Sequence, residues 1–259
     1  MRLLFRLILA LSLLAMPGVT FARTIAATLA ISRMDLPWWR ERFEAKQAEV
    51  HKTHPRLIFL GDSITQDWER HGPPDWADFA PVWQRFYGDR EAINLGFVGD
   101  TTASLIWRIR NGEVDGISPK VAVVLIGANN LGRVHWSAED TVAGIDTIIG
   151  ELHRRLPHTK VLLLGVLPSD RSAWATQTTV AINRMLAAKY AGDGVVTFLN
   201  VDHVFLRDGK LDRSLFYDPL LTPPDPPLHP TAQGQALMAA AMEPTLAALL
   251  DDRNHLVPP

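Results

Sequence analysis

Ser63 stands three residues beyond a short apolar run, Leu57-Ile58-Phe59-Leu60, that stops at Gly61. A run of that length and composition reads as a buried strand. A serine on the turn after such a strand lies at the carboxyl edge of a sheet, where open α/β sheets hold their ligands. By itself Gly61-Asp62-Ser63 reads first as a turn with a helix cap, because Asp and Ser are the usual capping residues. The other strand ends supply what a turn does not need. Gly99-Asp100 follows the run Ala92 to Leu95, Asn129-Asn130 follows Val121 to Ile126, and Asp225 and His229 precede the last helix. Together these are the parts of acyl transfer. A serine hydroxyl needs an adjacent base to become nucleophilic. Histidine is the usual base, and a carboxylate fixes its tautomer. The oxyanion of the tetrahedral intermediate needs preorganised donors. The Ser63 and Gly99 backbone N–H groups and the Asn129 side-chain amide are three candidates. Each residue also has a plain reading when taken singly: Asn129 as a turn residue, Gly99 as a site of positive φ, His229 as a cap, and Asp225 as a solvated loop residue.

The elements that must position these residues alternate along the chain. Strands are expected near 56–60, 92–95, 121–126, 160–166 and 195–201. Helices are expected near 36–50, 78–87, 103–110, 137–155, 173–190 and 231–250. Val121 to Ile126 is a continuous β-branched and aliphatic run, as in a parallel strand covered on both faces. Ser137-Ala138-Glu139-Asp140 is close to a capping box. Strict alternation predicts an α/β class with a doubly wound parallel sheet. Residues 67–77 read as irregular, Trp38 and Phe43 as covering one edge of the core, and the tail from Asp251 as frayed. The loop at 96–99 is no dinucleotide fingerprint, since it lacks the third glycine and an acidic partner further on. No pair of histidines has the spacing of a zinc hydrolase, so no metal or organic cofactor is expected. The eight tryptophans read as core rather than as a sugar-stacking platform.

The N-terminus reads as a targeting segment. Arg2 and Arg6 precede the apolar run Leu7 to Met16, and Thr20-Phe21-Ala22 sets small residues at a cleavage site, the pattern of a secretory signal peptide over residues 1–22. The run is too short to span a bilayer, so a periplasmic or secreted protein without a stable membrane span is expected. Without residues 1–22 the chain keeps 24 basic and 28 acidic residues, a net charge of −4. That mild acidity argues against a nucleic-acid partner. With no cysteine anywhere, disulfides and a lipidated cysteine are excluded, and stability must come from a hydrophobic core.

The runs Leu57 to Gln66, Ile93 to Glu113, Pro119 to Asn130 and Val161 to Pro168 resemble the SGNH, or GDSL, hydrolases, and most of all the branch of the platelet-activating-factor acetylhydrolase catalytic subunits. The resemblance spans about 56–250 and keeps the motifs in order. It implies a three-layer α/β/α sandwich around a five-stranded parallel sheet in the order 2-1-3-4-5. With the targeting segment read above, the chain divides into a signal peptide (1–22), an N-terminal helical extension (23–55), a hydrolase domain (56–250) and a tail (251–259). Position by position, the resemblance implies Ser63 as nucleophile, Gly99 and Asn129 as oxyanion donors and His229 as base. The family's aspartate stands three residues before its histidine, where this chain has Pro226. Asp225, four before, is expected to orient His229 through a bulge at Pro226-Pro227. Asp218, or a dyad with a backbone carbonyl on His229, is the alternative. The function implied is a serine esterase removing small acyl groups, chiefly acetyl, from a small ester or an O-acetylated carbohydrate. An exopolysaccharide O-acetyltransferase and a non-catalytic protein of polysaccharide export are the competing readings.

Overall fold

A computed structural model describes residues 23–256. The signal peptide expected over 1–22 lies outside the described residues, as do residues 257–259. Five parallel strands make the central sheet: β1 (Leu57–Gly61), β2 (Ala92–Gly96), β3 (Val121–Leu125), β4 (Lys160–Leu164) and β5 (Val196–Leu199). Their order across the sheet is β2-β1-β3-β4-β5, with Gly61 in register with Gly96 on one side and Leu125 on the other. The three site-bearing strands are therefore neighbours that end at one level. The order reverses beside β1, and a crevice opens at such a switch point.

Among the described residues, eight helices flank the sheet: α1 (Pro37–Thr53), α2 (Ser63–Gln66), α3 (Ala80–Tyr87), α4 (Thr102–Arg110), α5 (Ala128–Gly132), α6 (Ala138–Arg155), α7 (Ala173–Lys189) and α8 (Ala232–Leu250). Successive strand side chains point to opposite faces, and this divides the core in two. Ile58, Leu60, Ala122 and Val124 face a layer holding Ile106, Ile148 and Ile182, from α4, α6 and α7. Leu57, Phe59, Val121 and Val123 face Phe86, Met238 and Leu246, from α3 and α8. Several helix starts are capped as their sequences direct. Ser137 accepts from the Asp140 N–H at 3.1 Å, Ser172 from Ala175 at 3.1 Å and Thr231 from Gly234 at 3.2 Å. Each such cap is worth about 1 kcal/mol.

Three expectations change. At the start of α1, Trp39 is fully buried while Trp38 is 43% exposed, because Trp39, Phe43 and Val50 share the inward stripe of the helix. The stretch 67–77 contains two 3₁₀ turns, Asp67–Glu69 and Asp75–Ala77. The tail is tied down through its described part: Asp252 pairs with the buried Arg90 at 2.9 Å, and the His255 N–H donates to Glu243 Oε1 at 2.7 Å. Glu243 and Arg90 are themselves paired at 2.7 Å. A buried charge must be paired, and Arg90, which already faces Glu243, takes Asp252 from the tail as its second carboxylate.

Candidate active site

Gly61 closes β1 and lets the chain turn at once into α2. A Cβ there would lie 2.1 Å from Thr65 Oγ1 and 2.4 Å from the Leu125 carbonyl, so only glycine fits. Gly96, opposite in β2, has the Gln66 amide nitrogen 2.2 Å from the place of its absent Cβ. The two glycines let α2 lie directly on the strand ends. Ser63 is its first residue, so the Ser63 N–H has no helical carbonyl to bond. Asp62 caps the helix, accepting from the Ile64 N–H at 3.0 Å. Gln235 donates to the Ile64 carbonyl at 2.9 Å and Asn94 to the Thr65 carbonyl at 2.7 Å. The turn is thus held from the sheet side and from α8.

Ser63 Oγ lies 2.9 Å from His229 Nε2, across 166 residues of chain. His229 Nδ1 lies 2.5 Å from Asp218 Oδ1. A carboxylate facing Nδ1 assigns the proton to Nδ1 and leaves Nε2 to accept from the serine hydroxyl. Asp218 Oδ2 accepts two more bonds, from the backbone N–H groups of Leu228 at 2.7 Å and His229 at 2.6 Å. Burial opposes ionisation of Asp218, but His229 and the two N–H donors outweigh it and hold the carboxyl below its ordinary range. For His229, burial opposes protonation, while the Asp218 hydrogen bond and charge, helped by Asp67 and Asp62, push its pKa above the ordinary value.

Asp225 does not reach His229. It is exposed, and its backbone N–H donates to the Asp218 carbonyl at 3.0 Å. The expected bulge at Pro226-Pro227 is replaced by a larger loop. Phe216 bridges Pro230 antiparallel, the Tyr217 N–H donates to the His229 carbonyl at 2.9 Å, and Thr231 donates to Leu215 at 2.8 Å. This pairing lays Asp218 beside His229, and the intervening proline-rich loop, including Asp225, runs outward. Tyr217 stacks on the His229 ring at 5.3 Å and 14° and donates its hydroxyl to Asp67 at 2.8 Å.

Gly99 has φ +73°, a conformation that favours glycine. Its N–H donates to no acceptor among the described residues. Asn129 sits in α5 after β3, and its Nδ2 donates to the Asp100 carbonyl at 3.0 Å and lies 3.4 Å from Asp62 Oδ2. Asn130 is structural, bonding the Thr102 N–H and hydroxyl at 3.0 and 2.8 Å. Burial pushes the Asp62 carboxyl up to about 7, against the Ile64 N–H and the charge of His229.

A second layer of charge was missed in the sequence. Arg108 is fully buried between Asp100, at 2.8 Å, and Glu113, and donates to the Gly61 carbonyl at 3.2 Å. Asp100 also accepts from Trp39 Nε1 and Arg33, both at 2.8 Å. The N-terminal extension therefore reaches the loop that carries Gly99. The available signal was Arg108 itself, a cation on the same face of α4 as Leu105 and Ile109, which demands buried carboxylates nearby.

The profile of the GDSL-like Lipase/Acylhydrolase family matches residues 59–237. The chain belongs to this family. It is a carboxylic ester hydrolase, and the matched region contains Ser63, Gly99, Asn129, Asp218 and His229. Among curated relatives, the human platelet-activating factor acetylhydrolase IB subunit alpha2 is 27% identical over 216 residues, covering 83% of this chain and 86% of the relative. A GDSL-like lipase from Bacteroides thetaiotaomicron shares the fold with TM-score 0.62 and 20% identity, over 80% of this chain and 97% of that one. So does an acetylxylan esterase from Geobacillus stearothermophilus, at TM-score 0.54 and 17% identity, over 78% and 96%.

Proposed function

We propose that this family member is a serine esterase that removes small acyl groups, chiefly acetyl, from polar alcohols through an acyl-Ser63 intermediate. The observation that carries the reading is the hydrogen-bond chain from Ser63 Oγ to His229 Nε2, at 2.9 Å, and from His229 Nδ1 to Asp218, at 2.5 Å. Ser63 Oγ attacks the ester carbonyl carbon while its proton passes to Nε2. The oxyanion is received by the Ser63 and Gly99 N–H groups and the Asn129 amide. Collapse breaks the bond to the alcohol, which leaves with the proton from His229. Water then attacks the acyl-enzyme, with His229 again the base, and the acid is released. Asp218 holds the Nδ1 proton and steadies the imidazolium throughout.

Two observations support a polar alcohol portion. A cavity of about 500 Å³ opens on Ser63 and His229, and Gln66, Asp67, Glu69 and Arg70 line it with Val98 and Tyr217. Such a lining suits hydroxyl groups better than a long hydrocarbon chain. The name of the human relative, an acetylhydrolase, supports the short acyl group. An O-acetylated carbohydrate fits both. The charged n-region, apolar run and small residues of 1–22 support export to the periplasm or medium. The ground for a non-catalytic reading was an aspartate one place out of position, and Asp218 at Nδ1 removes it. In an assay with p-nitrophenyl acetate, Ser63→Ala is expected to abolish turnover and labelling by a fluorophosphonate probe. Equal rates for wild type and variant would overturn the proposal.

A further inference from the structure

Gly99 is crowded by cations. The point where its Cβ would stand is 2.3 Å from Arg133 Nη1 and 3.3 Å from Arg33 Nη2, so two guanidinium groups converge on one spot beside a proposed oxyanion donor. Arg33 is anchored, donating to the Val98 carbonyl and to Asp100 Oδ1, both at 2.8 Å. Asp100 is not spare, since Arg108 holds its other oxygen at 2.8 Å. Arg133 makes no ion pair among the described residues. A third cation, the half-buried Arg171, lies against Gly132, the last residue of α5 and the neighbour of Arg133 in the chain. Arg171 donates to the Ala128 carbonyl at 2.8 Å and has no carboxylate partner among the described residues. Asp100 and Glu113 together balance Arg33 and Arg108, which leaves Arg133 as the cation at this spot without a carboxylate partner among the described residues. The patch adjoins the cavity over Ser63, because Val98, whose carbonyl Arg33 holds, lines that cavity.

We infer that Arg133 and Arg33 form an anion subsite beside Gly99, and that the preferred substrate is an acyl ester whose alcohol portion carries a carboxylate or phosphate. The inference rests on the esterase reading above. Guanidinium suits either group, since its planar fork matches their oxygens pairwise. The anion would also fix the ester relative to Ser63, a contribution to orientation rather than to bond making.

The test compares three O-acetyl esters, those of methyl glucoside, methyl glucuronoside and methyl glucoside phosphate, at low ionic strength. In wild type, kcat/KM for at least one anionic ester is expected to exceed the neutral one by about tenfold, as for charge-assisted pairs at a partly exposed site. The anion with the larger ratio identifies the group. In Arg133→Gln the ratio is expected to fall toward one, and Arg133→Lys is expected to restore part of it. A wild-type ratio of one or less, or a ratio unchanged in Arg133→Gln, overturns the subsite while leaving the esterase reading intact. Failure to hydrolyse any of the esters, with no fluorophosphonate labelling of Ser63, overturns the esterase reading and the subsite with it.

Discussion

Replacing Asp218 by asparagine keeps the shape of the side chain and reverses its hydrogen-bond logic. Asp218 Oδ2 accepts two backbone N–H groups at 2.6 and 2.7 Å, and Oδ1 faces His229 Nδ1 at 2.5 Å. The new amide has one acceptor and one donor end. Its oxygen must stay on the two N–H groups, since an NH₂ there would set donors against donors. The NH₂ is then turned to Nδ1, which has to accept. The ring proton moves to Nε2, the atom that must take the Ser63 proton, and the base is lost although every atom is in place. A wrong tautomer of this kind costs about 10⁴-fold in kcat, or about 5 kcal/mol of transition-state stabilisation. Asp225→Asn, exposed and away from His229, is expected to stay within about twofold of wild type, the scale of surface substitutions. Both variants would be assayed with p-nitrophenyl acetate, alongside thermal melts to show that the fold persists. An Asp218→Asn enzyme within about tenfold of wild type, or one less impaired than Asp225→Asn, would refute the reasoning.

The pH profile follows from the same geometry. His229 must be neutral to act as base, and burial is outweighed by Asp218 so that its pKa lies above the ordinary 6.5. The acid limb of kcat/KM, which reports the free enzyme, is therefore expected above pH 6.5 in wild type, and a limb at or below 6.5 would contradict it. By linkage, the His229–Asp218 pair contributes stability fully below the unfolded histidine pKa, and this is lost as pH rises through the raised folded value. Arg108→Leu is expected to leave Asp100 and Glu113 buried without their cation. Breaking such a pair costs about 3–5 kcal/mol, which for a chain of this size lowers the melting temperature by roughly 10 °C. A melting temperature within about 2 °C of wild type would show that the cluster is not what holds the Gly61 turn.

The fold was legible because its signals are local and repeated. Each strand is a short apolar run of its own, each flanking helix has its own period, and Ser137 and the stop at Gly61 punctuate them. Once the strands alternate with helices, a parallel sheet follows, and every strand's carboxyl end falls on one rim. Ser63, Gly99 and Asn129 were therefore visible as a group, since each sits at the end of a strand whose direction is known.

Asp218 was not visible in that way. Its place beside His229 depends on Phe216 bridging Pro230 and on Tyr217 donating to the His229 carbonyl, pairings that close a loop without any period to announce them. Counting back from His229 measures distance along the chain, whereas Nδ1 selects a carboxylate by distance in space, and the proline-rich loop separates the two. Arg33, Trp39 and Arg108 are alike in this respect. They meet at Asp100 from three separate parts of the chain, and a buried charge finds its partners only after the core around it has formed. Sequence by itself determined the sheet, the Gly61-to-Ser63 turn and the rim on which the proposed chemistry sits. The tertiary structure alone decided which carboxylate serves the histidine and which cations border the oxyanion loop, because those contacts are set by chain closure and by the pairing of charge removed from water.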